Sequence, residues 1–105
     1  MAHVRLKPED RKQQLLESGI VLLREDGYRH VTRIGVAAMT GTTEALVNRY
    51  FGSRDGMRAE VVAEAAKRRD KKALAQVVIA GYVLEGLPRQ LERDVKAMAS
   101  EMQPA

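Results

Sequence analysis

Side chains able to do covalent or metal chemistry are scarce in this sequence. There is no Cys, which removes a thiolate nucleophile, a thiolate metal site and a disulfide framework. His3 and His30 are the only histidines, and both are isolated from the partners that a metal site or a general base needs. No Gly-rich phosphate loop or activated-nucleophile arrangement is present. The reading is therefore of a protein that is not an enzyme, with no metal and no cofactor. Cations are plentiful: Lys plus Arg number 18 against 14 Asp plus Glu, a net charge of +4. That balance permits a polyanionic partner without requiring one. The basic residues gather in two places, an N-terminal set of Arg5, Lys7, Arg11 and Lys12, and the block Lys67-Arg68-Arg69-Asp70-Lys71-Lys72.

The elements that must position these charges read as helices. With 105 residues, 45% hydrophobic and 30% charged, the chain has ordinary globular composition at the size of one small domain. A fold that small exposes much of its surface, so a second copy or another partner is expected. Leu15, Leu16, Gly19, Ile20 and Leu23 share one helical stripe, and Pro8, Glu9 and Asp10 suit a first turn. A helix is predicted from Pro8 to Asp26, closed by Gly27 as a left-handed C-cap. A short helix follows the N-cap Thr32, burying Ile34 or Val36 with Ala37 and ending at Gly41. Another runs from its cap Thr43 to about Tyr50, and Gly52-Ser53 breaks it. Ser53 caps a fourth, from Arg54 to about Arg69, with Met57, Val61 and Ala65 inward and Val62 beside them. A fifth is predicted over 73–85, because Val77 to Leu84 is apolar all round. A sixth carries the stripe Leu91, Val95, Met98 and Met102. The Val77–Leu84 run is far short of the roughly twenty residues of a membrane span. The basic N-terminus lacks the apolar run of a signal peptide, so a cytoplasmic location is expected.

A short helix, a tight Gly turn and a second short helix, following a longer one, is the plan of a helix-turn-helix unit. Ala37 is small where the two helices must cross, Gly41 sits at the turn, and Val36 and Val47 are apolar at inward positions. Around this core stand Gly27-Tyr28, Val36-Ala37-Ala38-Met39-Thr40-Gly41, and Tyr50-Phe51-Gly52-Ser53-Arg54-Asp55. Their order and spacing resemble the N-terminal DNA-binding domain of TetR-family transcriptional regulators, over about Arg11 to Val62. The Tyr50–Asp55 stretch discriminates most, since a generic helix-turn-helix does not need it.

The resemblance implies an all-α fold: a TetR-like three-helix head with about three further helices forming a short dimerisation region. It divides the chain into a basic arm over 1–10, a helix-turn-helix domain over 11–56, and a connector and dimerisation region over 57–105. It implies a homodimer that represses by occupying a palindromic site on double-stranded DNA. Carried onto matching positions, the DNA-reading face would comprise Thr43, Glu44, Ala45, Asn48 and Arg49. A guanidinium at Arg49 can pair with both guanine acceptors, and the Asn48 amide with adenine; Arg49 holding only a phosphate is the alternative. Thr32, Thr43, Tyr50 and Arg54 would meet phosphates. For the two threonines a plain N-cap is equally open, for Tyr50 core packing, and for Arg54 a surface ion pair with an acidic neighbour. Glu44 accepts from cytosine N4 or is simply a favourable acidic residue in a first turn. Arg5, Lys7, Arg11 and Lys12 reach a minor groove or phosphates, or form a solubilising tail. The Lys67–Lys72 block is read as a solvated face or partner contact.

Three departures from the family pattern matter. Asn48 stands where an aromatic is usual, Leu46 where a small or hydroxyl residue is, and Glu44 where a basic or small one is. The region after the fourth helix is also far shorter than in typical members. No small-molecule inducer is therefore expected, or at most a site between subunits. The shortened region is given to dimerisation instead, through Val77, Val78, Tyr82, Leu84, Leu91, Val95, Met98 and Met102. The competing function is a protein-interaction module or inhibitor that keeps the fold, has lost DNA binding and pairs with another regulator.

Overall fold

A computed structural model describes residues 6–103. Among them the regular structure is helical throughout. α1 spans Pro8–Asp26, with Pro8 opening it and Glu9 and Asp10 at the positive end of its dipole. Gly27 ends it at φ 110° and ψ 166°, outside the left-handed helical region expected from the sequence, while its N–H still bonds to Leu22 O at 3.1 Å. A single 3-10 turn, Tyr28–His30, which the periodicity did not announce, leads to Val31 and Thr32.

α2 covers Arg33–Thr40 and α3 covers Glu44–Phe51. Each starts at a threonine whose hydroxyl accepts from the N–H three residues on: Thr32 from Gly35 at 3.0 Å, Thr43 from Leu46 at 3.1 Å. A cap of this kind stabilises by about 1 kcal/mol, which matters for helices of barely two turns that could not persist alone. Gly41 turns the chain between them at φ 65°, a conformation other side chains rarely adopt. α4 runs Arg54–Lys67 from its Ser53 cap. It stops two residues before the expected Arg69, which itself takes φ 55°. There Arg69 N bonds to Ala66 O and Asp70 N to Ala65 O, so the chain turns sharply into the next helix.

α5 is Lys71–Ile79, capped by Asp70 Oδ1 on Ala73 N, and α6 is Arg89–Met102. The expected helix over 73–85 is corrected on both ends. Gly81 N bonds to Val78 O and Tyr82 N to Val77 O, with Gly81 at φ 93°. This paired terminus closes α5 in the middle of the apolar run. Residues 80–88 then connect irregularly to α6.

α1 is the central strut, packing on α2, α4 and α5, while α6 lies chiefly along α5. Leu15, Ile20 and Leu23 of α1, Met57 and Val61 of α4, and Leu74 of α5 are essentially removed from solvent. Each such side chain contributes about 1.5–3 kcal/mol of burial. On α2, Val36 and Ala37 face the core and Ile34 is 67% exposed, which resolves the choice between Ile34 and Val36. α6 turns Leu91, Val95 and Ala99 inward, with Met98 and Met102 at the margin.

That packing corrects the proposed dimer surface. Val77, Leu91 and Val95 are all at least 97% buried within one chain, because the two faces of α5 are covered by α6 on one side and α1 and α4 on the other. Val78, Leu84, Met98 and Met102 are partly covered by the same core. Only Tyr82, at 53% exposure, and its neighbour Val83, at 85%, stand out from the surface there.

Candidate nucleic-acid interface

The α2–turn–α3 unit is fixed from beneath. Val36, Ala37, Val47 and Phe51 are buried, so the two short helices share one apolar seam against α1 and α4. The turn is tied by Thr40, whose hydroxyl donates to Val36 O at 2.8 Å or shares a hydrogen bond with the Thr42 hydroxyl at 2.8 Å. With Val47 and Phe51 inward, the opposite side of α3 faces water: Thr43, Glu44, Ala45, Asn48 and Arg49 are all exposed. The structure thus brings these five together on one helix. Leu46 is half-buried, and Tyr50 packs against the core with part of its surface open.

The hydroxyls of Thr32 and Thr43 each serve as N-caps through an oxygen lone pair, which leaves their protons free to be donated. Arg54 pairs with its neighbour Asp55 at 3.6 Å, both groups well exposed, a contact that contributes little in water. Arg49 has no side-chain ion pair or hydrogen bond among the described residues. A guanidinium at the end of an exposed helical face, with five donors unspent, suits an acceptor-rich ligand.

Two arginines that sequence reasoning passed over organise this region. Arg33, the first residue of α2, lies along the Glu44, Asn48, Gly52 ridge of α3. Its Nη1 donates to Asn48 Oδ1 at 2.7 Å and to Gly52 O at 3.4 Å, and its Nε is 3.8 Å from Glu44 Oε1. Glu44 and Asn48 are therefore not independent of α2. Arg58 of α4 is 8% exposed and, among the described residues, has no carboxylate hydrogen-bond partner. It donates from Nε to Val31 O at 2.9 Å and from Nη2 to Arg29 O at 3.0 Å, with its guanidinium carbon 5.0 Å from the centre of the Tyr28 ring. These bonds hold the segment that delivers the chain into α2. Tyr28 in turn meets Tyr82 at 4.6 Å between ring centres. No period or motif marks either arginine, since both act across 11 or more residues of chain.

Of the other basic groups, two assigned to the N-terminal arm lie within the first helix. Arg11 and Lys12 belong to α1 and not to an arm. Arg11 donates to Gln14, and Lys12 binds Glu60 at 2.7 Å while lying over the Phe51 ring at 5.8 Å, which ties α1 to α3 and α4. Lys7 is exposed just before α1, and Arg5, with His3, lies outside the described residues. The basic residues of the 67–72 block are all exposed, as a solvated face requires, and three of them are paired across helices. Arg68 pairs with Glu17 and Glu64, Lys72 with Glu25, Lys71 with Asp94, and Asp70 with Arg24. Its hydrogen bonds to the Glu17 and then the Glu64 carboxylate hold the Arg68 guanidinium even more firmly protonated than usual. That block spends most of its charge on joining helices.

An open hollow of about 410 Å³ lies beside α4 and the 80–88 segment, lined in part by Tyr28, Arg58, Val77, Leu84 and Leu87. Among the described residues no group of three His, Asp or Glu side chains could hold a metal ion. No described helix is long and apolar enough to cross a membrane. Comparison with family models, with curated proteins and with solved structures found no match.

Proposed function

We propose that the protein is a sequence-specific, double-stranded-DNA-binding transcriptional regulator of TetR-like type, acting as a dimeric repressor. The observation that carries the reading is the division of α3. Val47 and Phe51 anchor it, while Thr43, Glu44, Ala45, Asn48 and Arg49 form one outward face capped by a threonine hydroxyl. A two-turn helix held this way, with a guanidinium on its outer side that has no partner among the described residues, is matched in size and donor chemistry to a major groove. Thr32, Arg54 and Tyr50 flank it as candidate phosphate contacts. Dimerisation through the exposed Tyr82–Val83 corner, in place of the residues now buried, is part of the same proposal.

Selection of binding sites from random double-stranded DNA at low salt tests the reading. Enrichment of a two-fold symmetric sequence is expected, with affinity falling steeply as salt rises. Absence of any enriched sequence would reject it. A second reading, a protein-interaction module that pairs with another regulator, draws support from Val83 and Tyr82 standing exposed beside apolar Leu84 and Leu87. It predicts a stable complex in pull-down without salt-sensitive DNA affinity.

A further inference from the structure

A carboxamide on a DNA-reading helix is usually free to rotate, and so can offer either a donor or an acceptor to each side. Asn48 is not free. A guanidinium carries only donors, so the hydrogen bond from Arg33 Nη1 at 2.7 Å requires the carboxamide oxygen to point toward Arg33 and the NH2 group away from it. Arg33 is itself held at three points along α3, by Asn48, by Gly52 O and by the Glu44 carboxylate. The edge of α3 around Asn48 therefore presents the N–H groups of the amide next to those of a cation. Any remaining lone pair on Oδ1 sits beside positive charge, where an incoming N–H donor is repelled.

The groove edges of the purines differ in this respect. Guanine shows two acceptors, N7 and O6, whereas adenine shows N7 and the N6 donor. We infer that Arg33 is a positioning residue that sets base preference, turning Asn48 from the adenine reader its residue type implies into a reader of guanine. This rests on α3 being the DNA-reading helix, and it names one base that the helix reads. Glu44, paired to the same guanidinium at 3.8 Å, is partly neutralised by it, which eases the approach of an acidic residue to DNA.

The test is binding-site selection with the full chain and four variants, each checked for native helical content by circular dichroism. Asn48→Ala identifies the position read by this side chain as the one whose preference it removes. At that position the unsubstituted protein should favour guanine over adenine on the order of ten-fold. Arg33→Met, which keeps length and loses the donors, should free the amide and move that position toward adenine. Arg33→Lys, which restores a donor cation, should retain guanine. Asn48→Asp, whose carboxylate only accepts, should lose guanine and admit cytosine through its N4 donor.

Adenine at that position in the unsubstituted protein would overturn the inference. So would a preference unmoved by Arg33→Met, or an Asn48→Ala variant that loses no position from an otherwise intact site. If Arg33→Met does not fold, Asn48→Asp still decides, because retention of guanine by an acceptor-only side chain contradicts the mechanism. Failure of the unsubstituted protein to select any sequence is a different result: it rejects the DNA-binding reading itself.

Discussion

Gly19 is the point at which α1 and α4 approach most closely enough to be tested by one methyl group. A Cβ at this position would stand 2.6 Å from Val61 Cγ2, and 3.5 and 3.6 Å from Val61 Cγ1 and Cβ. Carbon atoms prefer about 3.5–4.0 Å, so the overlap with Cγ2 is close to 1 Å. Val61 is 1% exposed, and a β-branched side chain within a helix has one strongly preferred rotamer, so it cannot turn aside cheaply. Overpacking of this sort costs about 1–3 kcal/mol. Against it stands the gain from replacing glycine by alanine inside a helix, about 1 kcal/mol. Gly19→Ala should therefore destabilise by about 1 kcal/mol. In a Val61→Ala background the clash is gone, and the same substitution should stabilise by about 1 kcal/mol. The two positions are then coupled by about 2 kcal/mol, well beyond the scatter of additive sites. Urea unfolding of the four proteins, at one fixed protein concentration so that association does not enter, measures the cycle. Equal stabilisation by Gly19→Ala in both backgrounds would refute the close approach of α1 and α4.

Four further outcomes are expected. Arg49→Ala should relax or abolish sequence preference in site selection, while Arg54→Ala should weaken all DNA sequences alike and flatten the dependence of affinity on salt. Arg58→Met should cost about 2–3 kcal/mol in urea unfolding, because the buried Val31 O and the part-buried Arg29 O both lose charge-assisted donors. Hydrogen bonds from Lys71 and then Gln90 hold the Asp94 carboxyl below its usual range, and Lys96 does the same for Glu92. A carboxyl whose affinity for protons is lowered by folding stabilises the fold above its unfolded pKa and loses that contribution as the pH falls through the folded value. Acid titration followed by circular dichroism should show stability declining below about pH 4, and Lys71→Met should make that decline shallower.

The parts of this fold that were legible in the sequence are those written in local chemistry. Pro8 with Glu9 and Asp10 marked the start of α1, and Thr32, Thr43 and Ser53 marked three helix entries because a hydroxyl before a helix has a specific donor to satisfy. Inward positions such as Met57 and Val61 followed from periodicity and Val47 from the helix-turn-helix spacing, whereas the apolar pattern of α2 left Ile34 and Val36 both open. The α5 terminus was hidden because Val77–Leu84 is continuously apolar, and hydrophobicity alone does not separate a buried helix from a helix followed by an apolar loop. The signal was Gly81, whose positive φ allows the paired hydrogen bonds that end the helix. Arg69 gave no such warning, since an arginine rarely adopts φ 55° and nothing in its type marks the turn hydrogen bonds that close α4 there. At the candidate interface the exposed residues of α3 could be enumerated from sequence. Their states could not: the orientation of the Asn48 amide and the charge felt by Glu44 depend on Arg33, which reaches them from another helix.

The manner in which α6 is attached has a consequence for how the molecule opens. α1 touches α2, α4 and α5, so loosening any part of it disturbs several contacts at once, whereas α6 leans chiefly on α5. Its inward stripe of Leu91, Val95 and Ala99 and the Lys71–Asp94 ion pair are the ties that must be released for it to lift. Proteins open in contiguous units with free energies that range from near zero up to the global value. A helix held chiefly by one neighbour can open as a unit of its own, and faster hydrogen exchange across α6 than across α1 and α4 would show it.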